Sequence, residues 1–261
     1  MPLTRRTLLR GTAAAAAAAA AAACSTNGSP EAAAPRSSTS APSPSSAPST
    51  TAASPTATPR PRTSVEVRHG DRASNLVALT FHGAGEVALA EQLLSLLEHH
   101  DVQATVMAVG TWLQAAPQMA HRVTRGGHDL GNHTLHHYPM RDLAARAALD
   151  EIEGCARVLQ RTAGSPGTWF RASGTQVTTP TIRRAAARGG YDRCISYDVD
   201  GLDWQDPSAD TVVRAVLDGA RGGSIISLHL GHPVTVTALP DILRGLRARS
   251  LKPVTLTELL G

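Results

Sequence analysis

From residue 76 onward, short apolar runs alternate with segments of helical periodicity. The runs Leu76–Phe81, Ala104–Val109, His128–Gly131, Thr168–Phe170, Arg193–Tyr197, Ser224–Leu228 and Pro253–Leu256 read as strands. Helices are expected between them, near 87–99, 117–126, 141–163, 178–189, 209–220 and 236–249. In the first helix Leu89, Leu93, Leu96 and Leu97 share one side, and Ala144, Ala148, Ile152, Cys155 and Leu159 make a similar stripe in the third. Gly126-Gly127 and Gly189-Gly190 stand where helix C-termini need residues free to turn. Alternating strand and helix implies parallel strands joined by right-handed crossovers. That many units in under 200 residues predict an α/β fold of one particular kind, a small, incomplete (β/α) barrel.

The first 63 residues break this rhythm. Thr4-Arg5-Arg6-Thr7-Leu8-Leu9-Arg10 is a twin-arginine pattern, and an alanine run from Ala13 to Ala23 leads into Cys24. Residues 1–24 therefore read as an export signal rather than a transmembrane helix. Ala-Ala-Ala-Cys resembles the lipobox of bacterial lipoproteins, in which the cysteine is lipidated, although Ala21 stands where leucine is usual. Residues 25–63 are mostly Ser, Thr, Pro and Ala, with no apolar face to bury, and are expected to form a disordered, semi-extended tether. Residues 64–261 then form one domain, lipid-anchored through Cys24 on the outer face of the membrane, or secreted.

Charge sharpens this division. Six of the 25 basic residues lie in 1–63 against one glutamate, so a chain of net charge +4 carries a domain of net −1. A nucleic-acid partner has no basic patch to bind, and no glycine-rich phosphate loop follows the first strand. Cys155 and Cys194, each in a predicted buried element, suit either a disulfide, which export permits, or two unpaired core thiols. Oligomeric state is not legible.

The candidate chemistry gathers at the C-terminal ends of the strands, the face that carries active sites in such barrels. His82 follows the first strand, His133 and His137 the third, Arg171 the fourth, and Asp198, Asp200 and Asp203 the fifth; His229 ends the sixth. Two imidazoles four residues apart can face one cation from a helical turn or tight loop, and zinc favours such ligands. His82 suits a third ligand or a general base, since imidazole titrates in the range either role needs. Glu86 and Asp129 are weaker ligand candidates that read as solvated residues. His99, His100, His121, His136 and His232 read as surface or loop residues, and Tyr138 and Trp112 as packing.

The order of these motifs resembles the NodB-homology polysaccharide deacetylases, carbohydrate esterase family 4, from about Leu76 to Gly261. His-Thr-Leu-His-His (133–137) is similar to that family's His-Ser/Thr-x-x-His metal motif. Phe170-Arg171-Ala172-Ser173-Gly174 looks like a shortened Arg-Pro-Pro-Tyr-Gly motif, Val199-Asp200-Gly201-Leu202-Asp203-Trp204 its Asp-Trp motif, and Leu228-His229 its final Leu-His. The resemblance implies a divalent metal, zinc first among candidates, on His133 and His137. It implies His229 as general acid, Asp203 orienting it, Arg171 beside the base, and Trp204 as a wall for substrate. The family's first motif is Thr-Phe-Asp-Asp-Gly-Pro, in which the first aspartate is the base and the second a ligand. Here those positions are His82 and Gly83, so Arg171 needs another partner, such as Asp198 or Asp200, or binds substrate directly. The implied activity is metal-dependent removal of N-acetyl groups from a cell-wall glycan such as peptidoglycan. The altered motif leaves two others open: a degenerate glycan-binding protein, and a hydrolase of another amide or ester.

Overall fold

The computed structural model describes residues 63–261. The expected signal (1–24), lipidation at Cys24, and all but the last residue of the expected tether (25–63) lie outside the described residues.

The elements in chain order are β1 (Val65–Val67), β2 (Leu76–Gly83), α1 (Val87–His99), β3 (Thr105–Ala108), α2 (Gly110–Ala115), α3 (Gln118–Arg125), β4 (Asp129–Asn132), α4 (Ala145–Ala163), α5 (Pro180–Arg188), β5 (Arg193–Ile195), β6 (Val199–Asp200), α6 (Ala209–Gly219), β7 (Ile225–His229), α7 (Pro233–Ala248), β8 (Lys252–Val254) and α8 (Leu256–Leu260). The central sheet runs β4-β3-β2-β7-β6, all neighbours parallel, with β8 alongside the start of β2. β1 pairs with β5, and this pair reaches β4 only through single parallel bridges from Phe170 to Asn132 and Cys194. The barrel is therefore incomplete, as the alternation predicts.

Several details depart from expectation. The run Thr168–Phe170 forms those two bridges rather than a ladder, with the Asn132 amide on Trp169 O, the Arg171 amide on Asn132 O and the Ile195 amide on Phe170 O as its pairing bonds. β1, β6, α2 and α8 were not legible as separate elements. The strand expected over Pro253–Leu256 ends at Val254, because the Thr255 side chain accepts the Glu258 amide and starts α8 at Leu256. α7 begins at Pro233, three residues early, where a proline at the first helical turn loses no hydrogen bond. Gly126 and Gly189 do close α3 and α5, and Gly127 (φ 74°) and Gly190 (φ 95°) then take left-handed conformations.

The larger core packs Leu79, Phe81, Val106, Ile226 and Leu228 against the helices, and the buried face of α1 is Ala90, Leu93, Leu94 and Leu97, with Leu89 and Leu96 only partly covered. A second cluster gathers Met140, Ile152, Phe170, Tyr191 and Cys194. Cys155 and Cys194 are both buried free thiols, each pushed up to about 12, first of all by burial. No disulfide joins them in the structure.

Candidate active site

The parallel register of β2 sets His82 opposite His229 on β7 and Met107 on β3. The His82 ring centroid lies 4.3 Å from that of His133 and 4.4 Å from that of His229. His133 follows the end of β4, and its amide still donates to Ala108 O at 2.9 Å. The next residues form a tight loop, not a helical turn: Thr134 (φ 70°) and His137 (φ 63°) are both left-handed, a strain found at functional sites and held by its surroundings. Here Asn132 Oδ1 accepts the Thr134 amide, the Gly110 and Thr111 amides at the start of α2 donate to Thr134 O and Leu135 O, and Glu151 of α4 accepts the His136 amide. The loop brings His137 to a centroid distance of 4.9 Å from His133. One ligand atom each from His82, His133 and His137 lies within 4.8 Å of the others.

His133 shows what this cluster is suited to hold. Its ring is fully buried and its Nδ1 lies 2.9 Å from Arg171 O, so Nδ1 carries the proton and donates. That leaves Nε2 a bare lone pair with no partner, an arrangement that costs about 1–3 kcal/mol unless something binds it. Burial, followed by the nearby His133, His229, Arg171 and His137, pushes the His82 imidazole well below its ordinary value; burial and His137 lead the same shift at His133, and burial and His229 at His137. All three are held neutral, the form that ligates a metal. The donor set therefore fits a cation such as zinc.

The same shifts carry a stability prediction for the metal-free protein. The unfolded chain takes up protons below pH 6.5, whereas His82 and His133 stay neutral when folded. Stability present above that pH is then lost as pH falls, by up to about 1.4 kcal/mol per pH unit for each imidazole. Thermal unfolding in chelator, from about pH 7.5 down to about pH 5, should show this, and a flat midpoint would contradict it.

Across the cluster, Asp203 is fully buried. Its Oδ1 takes His229 Nδ1 at 2.8 Å, and its Oδ2 accepts the His229 amide at 2.7 Å and Thr235 Oγ1 at 2.5 Å. The His229 ring is thus fixed with Nε2 free. Before them opens a cavity of about 420 Å³ lined by His82, His137, Tyr197, Asp200, Trp204 and His229, among others. Trp204 is half exposed on this wall.

Arg171 lies beneath the site, 1% exposed. Its Nε and Nη2 donate to Ile195 O (3.1 Å) and Ser196 O (3.3 Å), and its guanidinium is 5.3 Å from the Tyr197 ring centroid. Nη1 has no partner. The suggested ion pair with Asp198 or Asp200 does not form. Asp198 is taken by Arg72 at 2.8 Å, by Ser224 and by the Ile225 amide, while Asp200 accepts the Leu202 amide. Burial without a salt bridge pulls the guanidinium down to about 10.

Other candidates fall away from the cluster. Asp129, at the opposite end of β4 from His133, accepts from Thr105 Oγ1 and the Thr257 amide; Glu86 is exposed at the start of α1. Trp112 is packing, as expected, with its indole N–H on Gly85 O at 3.0 Å. Tyr138, read as packing, is instead 52% exposed. His136 bonds Glu151 at 2.6 Å and His232 bonds Asp206 at 2.8 Å. Asn132, Glu151, Ser173, Tyr197 and Thr235 support the site without a motif to announce them; a polar residue inside an otherwise apolar helical stripe, as with Glu151, was the one available signal.

The Polysaccharide deacetylase family profile matches residues 69–193. A peptidoglycan-N-acetylglucosamine deacetylase of Bacillus cereus is 28% identical over 188 residues, 71% of this chain and 88% of the relative. A chitooligosaccharide deacetylase of Azorhizobium caulinodans is 29% identical over 176 residues, 67% of this chain and 82% of the relative. Residues 69–193 thus match a polysaccharide deacetylase domain, and the chain is similar in sequence to deacetylases of that family. Among solved structures, a peptidoglycan N-acetylglucosamine deacetylase in complex with an N-oxidanyl-benzamide superimposes with a TM-score of 0.70 at 26% identity, covering 75% of this chain and 92% of the other. A mutant pseudoenzyme of carbohydrate esterase family 4 with restored enzymatic activity gives 0.71 at 25% identity, covering 76% and 71%.

Within this deacetylase fold, Gly83 occupies a position with little room for a side chain. A Cβ there would lie 2.8 Å from Val106 Cγ1 and 3.1 Å from Ala108 Cα. Gly83→Asp is therefore expected to destabilise the protein by about 2 kcal/mol or more, through overpacking and burial of a carboxylate. It should not tighten zinc binding. Chemical denaturation and a zinc titration check the two parts.

Proposed function

We propose that this protein is a metal-dependent hydrolase that removes N-acetyl groups from a cell-wall polysaccharide, peptidoglycan or a related N-acetylated glycan. The observation that carries the proposal is the three-imidazole cluster, with the lone pair of His133 Nε2 buried and unpartnered beside an open cavity. His82, His133 and His137 hold the metal, zinc by donor chemistry. A metal held there would supply a Lewis acid and lower the pKa of water to near neutral. His229 delivers a proton from Nε2 to the departing amine, and Asp203 fixes the tautomer and angle of that ring. Trp204 forms an apolar wall for substrate, and Arg171 presents positive charge behind His82. Residues 1–24 direct export, Cys24 anchors the product in the membrane, 25–63 span the wall, and 64–261 form the deacetylase domain.

A second reading, a glycan-binding protein without turnover, is favoured by one observation: Arg171 Nη1 has no carboxylate where the family resemblance implies a base. The test is acetate release from N-acetylglucosamine oligomers by the full chain with and without zinc, beside His82→Ala. Zinc-dependent release lost in His82→Ala supports the hydrolase. Oligomer binding without release, unchanged in His82→Ala, supports the binder.

A further inference from the structure

Among the described residues, five large apolar side chains are exposed: Val65, Tyr138, Val177, Leu202 and Trp204. Scattered singly, such residues need no explanation. Four of these five are not scattered. Trp204 lines the cavity of the candidate site, and Tyr138, Val177 and Leu202 each stand within two residues of a lining residue, His137, Gln176 and Asp200 respectively. Water is excluded from none of them by the protein itself.

Tyr138 is the most firmly held. Its ring stacks on His136 with centroids 5.2 Å apart and planes inclined by 26°. His136 is clamped in turn by the nearly buried Glu151, which takes its Nδ1 at 2.6 Å and its amide at 2.8 Å. The Tyr138 carbonyl accepts Ser173 Oγ at 2.6 Å. The next residue, Pro139, abuts the cavity-lining Gly174 so closely that a Cβ on Gly174 would lie 2.8 Å from Pro139 Cα. An exposed aromatic ring thus rests on an anchored imidazole, next in sequence to the proposed metal ligand His137. Trp204 is likewise fixed, in a short turn between left-handed Leu202 (φ 57°) and Asp206 (φ 49°).

We infer that Tyr138, backed by His136, is a stacking platform for a pyranose ring adjacent to the one that enters the cavity. This inference rests on the glycan reading above and adds to it a preference for chains over short fragments. A pyranose offers a flat face of C–H groups, which packs on an aromatic ring, and a rim of hydroxyls, for which Thr175, Gln176 and Asp200 in the cavity wall are suitable partners. A rigid ring binds with little loss of conformational freedom, so the platform adds affinity only when a second sugar is present to cover it.

The test is calorimetric binding of two probes to the full chain, the chitin pentasaccharide and disaccharide, in chelator so that neither metal nor turnover contributes. Tyr138→Ala and Tyr138→Gln are expected to weaken the pentasaccharide about tenfold more than the disaccharide, whereas Tyr138→Phe keeps the wild-type ratio. Equal losses on both probes, or none, would overturn the platform while leaving the glycan reading in place. Failure of the unsubstituted protein to bind either probe would overturn both.

Discussion

Replacing His133 with alanine is expected to lower zinc affinity by more than about 100-fold and to remove zinc-dependent acetate release. Loss of a residue that merely supports a ligand already costs about 10–100-fold, and His133 is the best-prepared donor of the three. It is the fully buried member of the cluster, its Nδ1 proton is committed to Arg171 O, and its Nε2 has no hydrogen-bond partner. His137 sits on a left-handed loop residue and His82 is on a strand, so neither can move to replace it. The metal-free proteins should differ far less, because the substitution removes one hydrogen bond and also one unsatisfied buried atom. Thermal unfolding with and without zinc separates the two effects: zinc raises the midpoint of the unsubstituted protein by mass action and leaves that of His133→Ala in place. A zinc-induced shift of equal size in both would refute the three-histidine site.

Asp203→Asn is expected to cut turnover sharply while zinc still binds. The carboxylate takes three hydrogen bonds at once, two donors on Oδ2 and one on Oδ1, in a fully buried position. An asparagine has only one accepting oxygen. If that oxygen keeps the His229 amide and Thr235, its NH2 faces Nδ1 and forces the neutral ring's proton onto Nε2, and the doubly protonated ring has no carboxylate to accept from Nδ1. If it keeps Nδ1, the NH2 meets two donors. Either arrangement costs about 2–4 kcal/mol of stability. A fall of about 100-fold to 10,000-fold in acetate release is expected, as when an orienting carboxylate is lost behind a catalytic imidazole. Zinc affinity within a few-fold of the original, measured on the same preparation, would confirm that the damage lies in proton delivery. Undiminished acetate release would remove His229 from the mechanism.

These two sites differ in how they could be read. The separation of His133 from His137, and the placing of His229 at the end of an apolar run, were visible as spacing. The pairing of Asp203 with His229 came only through the family resemblance. Thr235, the third partner, lies in the first turns of a helix and carries no local signature. An aromatic beside apolar residues ordinarily packs, but Tyr138 is exposed and stacks on an outward-facing His136, which only the tertiary structure shows. The missing partner of Arg171 was expected among nearby aspartates, but Asp198 is consumed by Arg72, a residue distant in the chain.

By itself, then, the sequence determined what depends on neighbours along the chain. It set the alternation that makes an incomplete barrel, the glycine and proline signals at element ends, and the polar residues that follow strands. Those features are local because side-chain periodicity and backbone sterics act over a few residues. The tertiary structure alone decided which of those polar residues meet. Strand register placed His82 between His133 and His229, and helix packing brought Glu151 under the 133–137 loop and Thr235 to Asp203. Register and packing are settled by burial summed over the whole core, so no stretch of chain carries that information alone.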